Sequence, residues 1–287
     1  MYYLQKNAAL LNNYHATAQL REQVLQTIAD ATAGLTFEPE EHRYFLGNKE
    51  LSSVSSIVEY FGPFDKVKVA TACSNNPKHP LYGKPVEEII AIWEENGRVA
   101  ANEGTKIHAF GEACYLWMTG QENLIEDEYM DRITPDGLLA IEQKEVSLAK
   151  WWAQHDWNRF VPIAKETRIV NPLLSYAGTM DLLLYDMYNM AFVLDDYKTN
   201  KDLFRWFGEY CLPPLSVLKN NDIGHYTIQQ TLYTIVLRNY GLPVIDNSLI
   251  WLKENEYQQH SLPMKYDKII HYAVQNLQNQ SVNQIQS

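Results

Sequence analysis

The stretch that decides the fold reads Gly178-Thr179-Met180-Asp181-Leu182-Leu183-Leu184, followed by Val193-Leu194-Asp195-Asp196-Tyr197-Lys198-Thr199. Both segments are apolar runs of strand length, and the residues around Tyr188 to Met190 read as a turn between them, so the pair is expected to form a hairpin. Each run meets an acid at one end. Asp181 precedes the leucines and Asp195-Asp196 closes the second run, so each carboxylate is expected where a strand reaches the end of its sheet. Side chains alternate along a strand, which puts Asp196 and Lys198 on one face and turns Asp195 and Tyr197 to the other. Two carboxylates and an ammonium gathered in this way can hold a divalent cation against a phosphate. Hard cations take carboxylate oxygens, and an ammonium can orient water or stabilise charge building on a phosphoryl oxygen.

At 287 residues the chain is long enough for one large domain with elaborations and a substantial core. No stretch is apolar enough to span a membrane and no signal peptide is evident, so a cytoplasmic protein with no membrane association is expected. Cys73, Cys114 and Cys211 are far apart and show no Cys-x-x-Cys spacing, which argues against a disulfide framework, a thiolate zinc site and an iron–sulfur cluster. The formal net charge of -11 runs against tight, non-specific binding of duplex DNA, where phosphate contacts supply most of the affinity. Part of that charge is local, in a run through Glu122, Glu126, Asp127, Glu128 and Asp131 that reads as a solvated loop.

Around the hairpin the periodicity predicts a helix over residues 1–30, able to dock on the body or on a partner protein, and a second hairpin from Phe37 to Leu46 and Leu51 to Val54 turning at Gly47-Asn48. Ser52 to Ser56 caps a helix over Ile57 to Tyr60, and Gly62 to Pro85 reads as irregular. Helices are expected at Val86 to Asn96, at Arg98 to Trp117, and from the Thr134-Pro135-Asp136 start to His155. Strands are expected at Phe160 to Val170, Ser175 to Asp186, Ala191 to Lys198 and Asn247 to Glu254, with a helix from Gly224 to Tyr240 before the last. Lys265 to Leu277 is amphipathic, and the Gln/Asn-rich end beyond it is expected to fray.

The order of these features resembles the PD-(D/E)xK nuclease superfamily, in its RecB-like and phage-type exonuclease branch. The residues that carry the resemblance are a helix with Gly-x-x-x-His108-x-x-x-Glu112, then Gly178-Thr179-Met180-Asp181, then Asp196-Tyr197-Lys198, then Gln229-x-x-x-Tyr233. The resemblance implies an α/β restriction-endonuclease-like core, a mixed central sheet flanked by helices, over residues 98–255. Residues 1–97 would be helical and hairpin elaborations and residues 256–287 a C-terminal helix and polar tail. It further implies a deoxyribonuclease using Mg²⁺ or Mn²⁺, an exonuclease acting at DNA ends in recombination, repair or phage DNA processing. A structure-specific endonuclease, or a catalytically inactive binding module on the same fold, is the alternative.

On that resemblance His108 joins Asp181 and Asp196 as a metal ligand, the backbone carbonyl of Tyr197 faces the metal, and Glu112 is a further candidate four residues along the His108 helix face. Lys198 positions water or stabilises the transition state, Glu166 serves a second metal or orients water, and Gln229 and Tyr233 organise the lysine or a phosphate. Lys201, Arg205 and Lys219, shortly after the motif, are the candidate phosphate contacts. The chain also carries 19 Tyr and 7 Trp, among them Trp151, Trp152, Trp157 and Trp206. Such rings are expected mostly in the core, and stacking on unpaired bases is their other use.

Overall fold

The computed structural model describes residues 1–285, with side chains described through residue 280. A short strand, β1 (Tyr2–Leu4), precedes two helices, α1 (Ala8–Ala16) and α2 (Ala18–Ala31), where periodicity predicts one. The break falls at Thr17, whose N–H still donates to the Asn13 carbonyl at 3.0 Å but whose backbone leaves helical geometry at φ -97°, ψ 14°. Leu10 and Tyr14 of α1 pack into one core and Val24 and Ile28 of α2 into another, so both helices dock on the body.

The segment read as one strand from Phe37 folds back at Pro39 to His42, giving β2 (Leu35–Glu38) and β3 (Arg43–Leu46). The turn at Gly47 then leads into β4 (Lys49–Ser53) as expected. Ser53 caps α3 (Val54–Phe61) by accepting from the Ser56 N–H at 2.9 Å. Within the segment read as irregular, Asp65 caps α4 (Lys66–Asn75) in the same way. One 33-residue helix, α5 (Val86–Met118), replaces the two expected. Gly97 passes through its interior, and the left-handed glycine that follows its end is Gly120, at φ +77°.

The acidic run is not a loop throughout: it contains α6 (Asp127–Met130), anchored by the buried Tyr129. Thr134-Pro135-Asp136 turns a hairpin between β5 (Ile133–Thr134) and β6 (Gly137–Ala140) instead of starting a helix. That helix, α7 (Gln143–Gln154), begins later behind a reciprocal capping box between Glu142 and Glu145. Three strands follow, β7 (Phe160–Asn171), β8 (Tyr176–Asp186) and β9 (Ala191–Lys198), then α8 (Asp222–Asn239), β10 (Val244–Leu252), β11 (Tyr257–Ser261) and α9 (Asp267–Ile285). The Gln/Asn-rich end stays helical to Ile285, and residues 286–287 lie outside the described residues.

Among the described residues the main sheet has the order β11-β10-β9-β8-β4-β3-β2, with β7 on the other edge of β8. It is mixed: β9 runs antiparallel to β8 and parallel to β10, and β4 runs parallel to β8. Leu182 and Leu184 of β8 belong to one buried cluster with α5 and α7, and Leu183 belongs to another with α3, α8 and α9. Alternation of that kind, with apolar residues on both faces, is what a sheet covered by helices on both sides requires. Each leucine buried in this way stabilises the fold by roughly 2 kcal/mol. Among the described residues no helix is long and apolar enough to cross a membrane.

Trp151, Trp152 and Trp157 are core residues, with Trp152 and Trp157 stacked at 5.0 Å. His155 is wedged against Trp151, Trp157 and Phe160, and its buried Nε2 has no hydrogen-bond partner among the described residues. Burial lowers its pKa to about 4, the nearby Asp156 charge opposing weakly. The unfolded chain therefore binds a proton there before the folded chain does. The stability from a neutral His155 is present above the ordinary histidine pKa of about 6.5 and is lost as pH falls toward 4. Urea unfolding at pH 7 and pH 4.5 should show roughly 2 kcal/mol more acid destabilisation in the wild type than in His155→Gln. Equal losses in the two proteins would contradict this.

Candidate metal centre

β8 shares one of its edges between two strands. Its C-terminal half pairs with β9 from Leu182–Asp195 to Asp186–Ala191, while its first residues, Tyr176 and Ala177, pair with β4. Past the Leu182–Asp195 pair, β8 and β9 part and β9 continues along β10 alone through Lys198. Asp181 and Asp196 are the next residue on each strand. The sheet thus forks at the acidic residues, leaving side chains between the strands that a continuous ladder would have closed off. The Tyr197 N–H, freed from β8, donates to Asp181 Oδ2 at 2.8 Å.

Into this fork α5 delivers His108 and β7 delivers Glu166. His108 Nδ1 lies 2.8 Å from Glu166 Oε1 and 3.6 Å from Asp181 Oδ2, and one ligand atom from each of the three falls within 4.8 Å of the others. Glu166 sits between the register pairs Lys165–Leu182 and Thr167–Met180, across from Asp181, at φ +40°. A left-handed, non-glycine residue inside a strand costs on the order of 1 kcal/mol or more and persists only where its surroundings impose it. Here it accompanies a carboxylate bonded to His108 from a strand interior.

The remaining predicted residues divide. Lys198 Nζ lies 2.5 Å from Asp196 Oδ2, as their shared face requires, but Asp196 is outside the close trio and its charge is met by the lysine. Asp195 faces away and accepts from the Ser248 hydroxyl. Burial pushes its pKa up to about 7, the Ser248 bond opposing. Glu112 is not with the trio either. It pairs at 2.7 Å with Lys165, which precedes Glu166 and projects elsewhere, so the i, i+4 spacing on α5 leads to an ion pair. Tyr197 reaches the site through its N–H, which donates to Asp181. Gln229 donates to the Tyr233 hydroxyl at 3.4 Å, and its Oε1 is buried with no partner among the described residues. Tyr233 packs over Gly178, where an added Cβ would come within 2.6 Å of the ring. Glycine at 178 is therefore required for Tyr233 to lie against the β8 strand. Lys201, Arg205 and Lys219 are exposed on the segment between β9 and α8.

Sequence reasoning missed the residues that back Lys198. Its Nζ lies 4.4 Å from the centre of the Tyr226 ring, whose hydroxyl donates to Asn200 Oδ1 at 2.7 Å. The Asn200 amide in turn donates to Asp222 Oδ2 at 2.6 Å. The signal was available, since Tyr226, Gln229 and Tyr233 stand at i, i+3 and i+7 on one helix face. Tyr44, whose hydroxyl lies 3.0 Å from Thr179 Oγ1, could be placed only by the fold.

The electrostatics favour a cation in the fork. Asp181 and Asp196 are both raised, first by burial and then by neighbouring carboxylates. Lys198 is held above its ordinary range: burial works to discharge it, but Asp196, Tyr226 and Asp181 outweigh that. His108 is pushed up to about 9, chiefly by Asp181 against an opposing desolvation, so the cluster already selects positive charge. Asp186, on the same strand, is a useful contrast. Arg159 Nη2 reaches it at 2.6 Å and Asn189 at 2.7 Å, which hold its carboxyl well below the usual range. Among the described residues Asp181 has no such guanidinium. Two carboxylates and an imidazole are a donor set that could hold a hard or borderline divalent ion.

No protein-family model matches the chain, and no curated protein matches it. Among solved structures, a protein of Eubacterium rectale described as a "Putative exonuclease" is similar over 78% of this chain and 80% of its own, at 16% identity and a TM-score of 0.37.

Proposed function

We propose that the protein is a divalent-metal-dependent deoxyribonuclease on a restriction-endonuclease-like core, hydrolysing phosphodiester bonds at DNA ends. The observation that carries this is the meeting of His108, Glu166 and Asp181 at a sheet fork beside the Asp196–Lys198 pair. His108, Glu166 and Asp181 would hold Mg²⁺ or Mn²⁺, with Asp196 able to join from the opposite strand. When bound there, such an ion supplies Lewis-acid polarisation of a phosphoryl oxygen and a more acidic water.

The chain's own residues do the rest. Lys198 stays protonated, so its Nζ acts as a hydrogen-bond donor, either to an attacking water or to the oxygen on which charge builds, and does not take a proton. Asp196 and the Tyr226 ring fix where that ammonium sits. Burial of both acids, at 8% exposure for Asp181 and 1% for Asp196, keeps bulk water from screening these charges. Gln229, Tyr233 and Tyr44 line the β8 strand near Asp181 and offer neutral donors to a phosphate.

The test of end specificity is a panel of linear and covalently closed circular DNA, each single- and double-stranded, with Mg²⁺ or Mn²⁺. Degradation of linear forms with circles left intact is expected. Nicking or linearisation of circles would instead identify an endonuclease.

A further inference from the structure

The segment between β9 and α8, residues 199–221, is ordered from within. Leu203, Cys211, Leu215 and Leu218 are buried, Tyr210 and Lys219 form a bridge, and Leu212 N and Asn220 Nδ2 donate to the carbonyls of Phe61 and Pro63. On that frame four rings are exposed: Phe204 at 49%, leaning on Trp251 and His260, and Trp206 at 37%, Tyr210 at 52% and Phe207 at 73%, which face away from the body. Two carry a cation on the ring face, Lys219 Nζ at 4.7 Å from the Trp206 centre and Arg205 Cζ at 4.8 Å from that of Phe207. Among the described residues, Lys201, Arg205 and Lys219 have no carboxylate within 4.0 Å, on a chain whose formal net charge is -11.

Both ends of this segment touch the Lys198 environment. It leaves directly from Lys198, and it re-enters α8 at Asn221, with Tyr226 one turn further on beneath the Lys198 ammonium. Exposed rings held rigidly beside unpaired cations are a stacking platform, because every unpaired base offers a π face and every nucleotide a phosphate. A duplex hides those faces, and the acidic chain gives its phosphates little diffuse attraction.

We propose that residues 201–219, through Trp206, Phe207 and Tyr210 with Arg205 and Lys219, bind an unpaired nucleic-acid strand and lead its terminal phosphates to Lys198. This deepens the nuclease reading and rests on it for the direction of the strand, while the binding itself can be measured alone. The experiment is fluorescence anisotropy of a labelled oligo-deoxythymidylate and of a blunt duplex of equal length, in EDTA, with wild-type protein and with Phe207→Ala, Trp206→Ala and the double variant.

Tighter binding of the single strand than of the duplex is expected, with about fivefold or greater weakening for each ring removed and an unchanged unfolding midpoint for the largely exposed Phe207 position. Wild-type affinity in the double variant, or a wild type that prefers the duplex or binds neither, would overturn the proposal. Because EDTA removes catalysis, a protein that binds the single strand through these rings but never cleaves it would overturn the nuclease reading and leave the platform standing.

Discussion

Asp181→Asn is expected to lower metal-dependent DNA hydrolysis by about 10³-fold or more, a barrier increase of ~4 kcal/mol. Asp181 is the carboxylate on which the site converges: the Tyr197 N–H donates to it, His108 lies 3.6 Å away, and Asp196 follows on the opposing strand. The asparagine keeps the shape and can still accept from Tyr197, so the fold should be retained. Burial already raises the Asp181 pKa, and a neutral amide avoids that desolvation cost. What is lost is the negative charge that would hold a cation between His108 and Glu166. Initial rates on end-labelled linear DNA at saturating Mn²⁺ measure the effect, and a loss of less than tenfold would remove Asp181 from the centre of the site.

Lys198→Ala is expected to act twice. Hydrolysis should fall by a comparable factor, because the donor nearest Asp196 disappears. The protein should also lose roughly 3–5 kcal/mol of stability in EDTA, since removing one partner of a buried ion pair leaves the other charge uncompensated. Asp196 is 1% exposed and Asp181 8%, so neither can recover its hydration without opening the fork. A divalent ion would restore the missing positive charge, and the two effects then separate: Mn²⁺ should recover much of the unfolding midpoint of Lys198→Ala while leaving its activity low. A variant as stable as wild type in EDTA would show that Lys198 and Asp196 are not a balanced buried pair.

The hairpin and its register were legible because alternation is a local rule. Leu182, Leu183 and Leu184 had to be buried on both faces, and the period of two assigned Asp196 to the Lys198 side. The site was legible only in part. Glu166 enters the trio through a backbone at φ +40°, which no propensity predicts for a glutamate inside a strand. Glu112 stood at the right spacing from His108 and was drawn to Lys165 instead, a choice made by the neighbouring strand and invisible from the helix alone. The helix errors have similar causes. Thr17 interrupts the first helix at φ -97°, ψ 14°, Gly97 is tolerated in an exposed stretch of α5 between the buried Ile89 and Ile107, and Thr134-Pro135-Asp136 serves a hairpin turn with the same chemistry that starts helices. The fork was not visible in sequence, because it depends on β4 taking the place along β8 that β9 vacates.

The fork between Asp181 and Asp196 is proposed as a metal-dependent centre for phosphodiester hydrolysis. Its most direct test is incubation of the purified protein with end-labelled linear DNA, single- and double-stranded, in Mn²⁺ or Mg²⁺ and in EDTA. Release of label with metal, its absence in EDTA and its loss in Asp181→Asn are the predicted results. No release from either DNA with either metal, or release that continues in EDTA, would rule out that role for the fork.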